Sequence, residues 1–174
     1  MIHRDIKPSN IIFVNGQPKL ADIGLVAEQS EAKSFVGTEG FIPPEGPGTS
    51  QADIYSLGKV LYEIATGKDR HEFPALPTAL GETKEDDQLL ELNTVFLKAC
   101  QNDIHERYQT CEQMRDDLLL LRSGESVAAA QELRKKLALL YKLSAAGIAL
   151  TLVLLGGFAL RAPANAQGVG ASGP

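Results

Sequence analysis

A chain of 174 residues has room for one domain and little more, and an apolar content of 44% is enough for a sizeable core. A net charge of −5 argues against nucleic acid as the main partner. The two cysteines, Cys100 and Cys111, lack metal-ligand spacing and any accompanying Cys/His cluster, so both read as reduced core thiols of a cytosolic domain; charged residues almost directly after Met1 are not those of a signal peptide.

The chain opens on His3-Arg4-Asp5-Ile6-Lys7-Pro8-Ser9-Asn10, followed by the apolar run Ile11–Val14, then Asn15-Gly16, then Gln17–Ala21. Asn-Gly between two such runs predicts a β-hairpin, because both turn positions need positive φ. Residues flanking the two strands meet at the end away from the turn, which brings Asn10 beside Asp22. Residues 22–45 have small and turn-forming residues without periodicity and read as an ordered loop. A helix is predicted over 52–66, with Ile54, Leu57, Leu61 and Ile64 on one face and Gly67 as its stop. Residues 81–87 read as a polar connection and 89–99 as a helix. Thr110 to Gln113 has the form of a capping box, continued by Met114, Leu118 and Leu121 as an amphipathic helix that Ser123-Gly124 ends. No strand is evident after Ala21.

Residues 127–141 read as a further helix carrying Arg134, Lys135 and Lys136, with Lys142 just beyond. The run 143–160 has no charged residue. Its length of about 18 residues, roughly 27 Å as a helix, matches a bilayer core and predicts a transmembrane span. Basic residues on its N-terminal side place 1–142 in the cytoplasm by the positive-inside rule. Residues 161–174 read as a disordered tail on the other side.

Phosphoryl transfer to a hydroxyl needs a base or orienting carboxylate, a cation for the phosphate and oxygen ligands for Mg²⁺. The opening segment offers Asp5, Lys7, and the pair Asn10 and Asp22 in turn. Any one of them alone would be ordinary solvated surface.

As a set, His3–Asn10 resembles the catalytic loop of protein kinases, His-Arg-Asp with an Asn five residues after the Asp. The resemblance implies Asp5 as catalytic base, Lys7 as phosphate contact, and Asn10 and Asp22 as ligands of the Mg²⁺ ions, two in an intact kinase, that accompany ATP. Ile11, Ile12 and Phe13 would floor the adenine. Asp22-Ile23-Gly24 stands where the family has Asp-Phe-Gly, keeping an apolar plug but losing the ring. Gly37-Thr38 resembles the substrate-docking segment, with Thr38 near Asp5 and Lys7. Pro43-Pro44-Glu45 stands for Ala-Pro-Glu, and Glu45 is similar to the structural acid that pairs with a later arginine, here Arg107. Asp53 to Gly58 matches the helix whose Asp anchors the catalytic loop. His3 and Arg4 complete the motif. Lys7 favours Ser/Thr over Tyr specificity, and Arg4 resembles the arginine that pairs with an activation-loop phosphate, for which Ser30 and Ser34 are the candidate acceptors.

The predicted architecture is therefore mainly α: a kinase-like C-lobe with a small β-hairpin over 1–122, a juxtamembrane helix and linker over 123–142, one transmembrane helix over 143–160 and a tail over 161–174. With a kinase lobe on a membrane helix, the layout resembles a bacterial receptor-type Ser/Thr kinase acting on protein substrates. Self-association or a partner kinase would be further contacts, and nucleic acid would not. In the family, a smaller lobe supplies a Gly-rich loop, a lysine and a glutamate to hold ATP. That lobe is expected to precede this chain, with Met1 a late start or the gene broken. The literal Gly-x-Gly-x-x-Gly at 168–173 is no substitute, because it lies in the tail without flanking strands. The alternative is a truncated, catalytically silent kinase-like module that docks partners at the membrane; a non-functional remnant is a third.

Overall fold

A computed structural model describes residues 2–21, 37–78 and 83–161, with 145–161 as backbone alone. Strands β1 (Ile11–Val14) and β2 (Gln17–Leu20) pair antiparallel with Ile11 opposite Leu20. Both turn residues, Asn15 and Gly16, have positive φ (51° and 75°), as the predicted hairpin requires. Four helices follow: α1 (Ser50–Thr66), α2 (Lys84–Ala99), α3 (Cys111–Ser123) and α4 (Val127–Arg161), with short 3-10 turns at Pro8–Asn10 and Arg70–Glu72. Among the described residues, no other strand is present.

The helix boundaries are set by caps. Thr49 accepts from Ala52 N, so α1 starts two residues before the predicted 52, and Gly67 in the left-handed region ends it. The polar segment read as a connection is in part helix. Thr83 and Asp86 form a reciprocal capping box that starts α2 at Lys84, and Glu85, Asp86 and Asp87 favour the positive end of the helix dipole. At α3, Thr110 accepts from Gln113 N, but the Gln113 side chain accepts from Gln109 N instead of returning to Thr110, so only half of the predicted box forms. Gly124 ends α3 with φ 81°.

Helix α1 is buried on more than the one predicted face. Ile54 joins Val95, Ala99, Tyr108, Met114 and Val127 in one core cluster, while Val60 joins Ile6 and Phe41 in another. Ile64, predicted to face the core, is exposed. Tyr62 makes edge-on contacts with Phe73 and Phe96 and donates to Ala75 O at 2.6 Å. Full burial of such side chains contributes ~1.5–3 kcal/mol each. Where α1 and α2 cross, a Cβ on Gly58 would fall 2.7 Å from Ala99 Cβ and 2.8 Å from Cys100 Sγ, so the backbones meet through the missing side chain.

Cys100 is buried, and burial pushes its thiol up to about 12, an inert core group. Cys111 departs from the prediction. It occupies the exposed first position of α3, because its neighbour Met114 takes the core-facing place.

Two compact units divide the chain, Met1–Ala129 and Ala130–Pro174. The predicted juxtamembrane helix and span share one continuous helix, α4. Among the described residues, no helix is long and apolar enough to cross a membrane. The side chains of 145–161, on which most of the predicted span 143–160 falls, lie outside the described residues, as does the tail after Arg161.

Candidate active site

The opening loop is held by the first turn of α1. Both carboxylate oxygens of Asp53 are used: Oδ2 accepts from His3 N at 2.7 Å and Oδ1 from Arg4 N at 2.9 Å. This pins Arg4 at φ 75°, a left-handed conformation that a residue with a long side chain rarely adopts. His3 Nε2 donates to Ala21 O at 3.1 Å, tying the loop to the open end of the hairpin. Burial pushes the Asp53 carboxyl up, and the two backbone N–H bonds offset this only in part. Asp53→Ala leaves two backbone donors without acceptor and is expected to lower stability by about 2–3 kcal/mol, with Asp53→Asn costing less. Denaturant midpoints measure this, and unchanged midpoints in both variants would remove the anchoring role.

From that anchor the chain presents a closed polar network. Lys7 Nζ lies 2.7 Å from Asp5 Oδ2 and donates to Thr38 Oγ1 at 2.9 Å, while the Thr38 hydroxyl donates to Asp5 Oδ1 at 2.7 Å. Asn10 Nδ2 donates to Asp5 O at 2.8 Å and to Asp5 Oδ2 at 3.1 Å. Burial alone would raise the Asp5 carboxyl, but its bonds with Lys7, Thr38 and Asn10 outweigh it and hold the group below its ordinary value. Asp5 is thus an ionised acceptor at neutral pH. A carboxylate has about four lone-pair sites. Described residues fill three of them, two on Oδ2 and one on Oδ1.

The segment carrying Thr38 is positioned from three sides. Gly37 has φ 143°, and a Cβ there would meet Arg4 O at 3.0 Å, so glycine permits the close approach to the loop. Ser56 Oγ donates to Phe41 O at 2.8 Å. Arg70 donates from Nε to Glu39 O at 3.1 Å and lays its guanidinium over the Phe41 ring at 4.6 Å. Ser56 and Arg70 are contributions that sequence reasoning missed. Ser56 sits within the Asp53–Gly58 helix match, but Arg70 carries no spacing signal, because it arrives from beyond α1.

Arg107 is fully buried and pairs with Glu45: Nη2 donates to Oε2 at 2.9 Å and Nη1 to Oε1. Its Nε donates to Gln101 O, and its guanidinium stacks on Tyr55. The pair lies apart from the Asp5 network and joins the segment after Thr38 to the chain beyond α2.

The open end of the hairpin holds Asn10, with Ala21 N donating to Asn10 O at 2.8 Å. Both Asn10 amide-nitrogen bonds go to Asp5, and its Oδ1 is a neutral oxygen of the kind that could hold Mg²⁺. Asp22, the predicted charged ligand, and the candidate phosphate acceptors Ser30 and Ser34 lie outside the described residues. Ile12, predicted under the adenine, is exposed on β1 together with Phe13 and Val14.

A short hairpin leaving an Asp-x-Lys-x-x-Asn loop, clamped by the aspartate of a buried helix, is a scaffold of the protein kinase type. A profile of the protein kinase domain matches residues 1–136, and the chain belongs to the protein kinase family. It is 33% identical over 156 residues to the serine/threonine-protein kinase PknB of Mycolicibacterium smegmatis and 34% identical over 159 residues to that of Mycobacterium tuberculosis. Each alignment covers 76% of this chain and 25% of the relative. A probable serine/threonine-protein kinase PknB of Lactococcus lactis is 30% identical over 140 residues, covering 68% and 22%. The chain thus spans about a quarter of the length of these curated relatives.

Proposed function

We propose that this chain carries the phosphoryl-transfer loop of a Ser/Thr protein kinase, which moves the γ-phosphate of ATP to hydroxyls of protein substrates. The observation that carries the reading is the Asp5–Lys7–Thr38 network, closed at 2.7–2.9 Å across residues separated by more than thirty positions in sequence. In this reading the substrate hydroxyl takes the fourth lone-pair site of Asp5, on Oδ1, and Asp5 orients its oxygen and receives its proton. Lys7 releases Thr38 in part to contact the phosphate, and Thr38 holds the docking segment at the same carboxylate. Asn10 and Asp22 would hold Mg²⁺, and bound Mg²⁺–ATP would supply the phosphoryl group and neutralise its charge. Transfer of labelled γ-phosphate to serine- and threonine-containing peptides tests this, with Asp5→Asn beside the native chain.

The charge-free run 143–160, preceded by Arg134, Lys135, Lys136 and Lys142, further supports a single membrane span with residues 1–142 on the cytoplasmic side. Resistance of the chain to alkaline extraction from vesicles checks it.

One observation favours the second reading, a kinase-like module that docks a partner kinase or a substrate at the membrane without transferring phosphate. Phe13, Ile12, Val14 and Leu20 leave an exposed apolar surface on the hairpin. That reading requires a cooperative melt with no transfer in the same assay.

A further inference from the structure

The second compact unit carries a surface that the phosphotransfer network does not use. In α4, every residue from Glu132 to Ser144 is exposed. Leu133, Leu137, Leu140 and Tyr141 recur at i, i+4, i+7 and i+8 and are between 55% and 75% exposed, an apolar stripe. Leu143 widens it on one side. Such a stripe alone does not say what covers it, but the charge on the rest of the helix surface does. Arg134, Lys135, Lys136 and Lys142 stand along the same turns, and Glu132, 3.6 Å from Lys136, is the single acid between Gln131 and Ser144.

A protein core would cover the leucines and add no counter-charge to Lys135 or Lys142. A layer of anionic phospholipid satisfies both. Leucine and tyrosine side chains sink to the acyl boundary, while the lysine stems run along the apolar surface and carry their ammonium groups back to the phosphates. Continuity favours the same occupant, because the charge-free run begins at Leu143, inside the stripe.

We propose that residues 133–144 of α4 bind an anionic phospholipid surface, with Lys135, Lys136 and Lys142 at headgroup phosphates and the leucines at the acyl boundary. The idea rests on the membrane reading only through the apolar run that follows, and it holds whether or not that run crosses the bilayer.

The test uses the full chain with vesicles of phosphatidylcholine alone or of phosphatidylcholine with phosphatidylglycerol. Trypsin cutting after Arg134 and Lys142 reports surface contact, and alkaline extraction reports the span. Each lysine near an anionic surface is worth about fivefold in partitioning. Cutting is expected to slow by roughly tenfold or more on the anionic vesicles, to recover at high salt, and to lose most of the protection in Lys135→Gln/Lys136→Gln, which keeps both cutting sites. Equal cutting on both vesicle types overturns the proposal, and retention after alkaline washing would then leave the span reading standing. Anionic-dependent protection in a chain that alkali removes supports the proposal and ends the span reading. A chain that associates with neither vesicle ends both, and an acidic protein surface becomes the partner to seek.

Discussion

Replacing Asp5 by Asn is expected to lower γ-phosphate transfer by about 10²–10⁴-fold, the range a positioned proton acceptor contributes. The comparison is made in whichever form transfers phosphate, the chain itself or one extended upstream. The side chains are nearly isosteric, so the packing of the loop survives. The amide, however, cannot take a proton from an attacking hydroxyl, and it removes the ionic partner of Lys7 2.7 Å away. Thr38→Ser, which keeps a hydroxyl at the same carboxylate, is expected to retain most of the rate, whereas Thr38→Ala loses the tether to the docking segment. Thermal melts of all three variants separate rate from folding. Asp5→Asn with unaltered transfer would overturn the assigned role.

The largest effect on stability is expected at Arg107. Arg107→Met fills the volume of the side-chain stem but strands Glu45 and leaves the carbonyls of Gln101, Gln51 and Asn102 without their donor. Breaking a buried pair by removing one partner costs ~3–5 kcal/mol, and the partial exposure of Glu45 puts this case near about 3 kcal/mol. For a chain of this size that is a fall of roughly 6–12 °C in Tm. The pair also sets a pH dependence. Burial would raise the Glu45 carboxyl, but the Arg107 bonds outweigh it and leave its folded value below the ordinary 4.5. A carboxylate lowered in the folded state stabilises above its unfolded value, and the contribution is lost as pH falls through the folded one. Native protein should therefore lose stability more steeply on acidification below 4.5 than Arg107→Met does. Parallel pH profiles, or a midpoint shift within about 0.5 kcal/mol, would make this an ordinary surface pair.

Much of the site was legible because it is local. His3–Asn10 places Asp5, Lys7 and Asn10 within one loop, and the Asn15-Gly16 turn fixes the hairpin register that sets Asn10 opposite the end of β2. Caps were legible for the same reason. Thr110 and Gly124 act through neighbours a few residues away, and Thr83 with Asp86 would have been found by extending the capping search into the polar segment before α2. Glu45 with Arg107, and Asp53 with the loop, came from a family resemblance, since no periodicity joins residues some fifty or sixty positions apart.

What the sequence by itself determined is the chemistry-bearing loop, the hairpin behind it, the helical character of the remainder and the cationic, leucine-rich stretch near its end. These depend on turn conformations, caps and spacings that act over a few residues. Only the tertiary structure decided that α1 is buried on more than one face, that Cys111 and Ile64 are exposed, and that Ser56 and Arg70 fix the segment bearing Thr38. Those outcomes depend on which surfaces meet across long stretches of chain. Helical periodicity marks a side chain as apolar or polar; it does not say which neighbour will remove it from water.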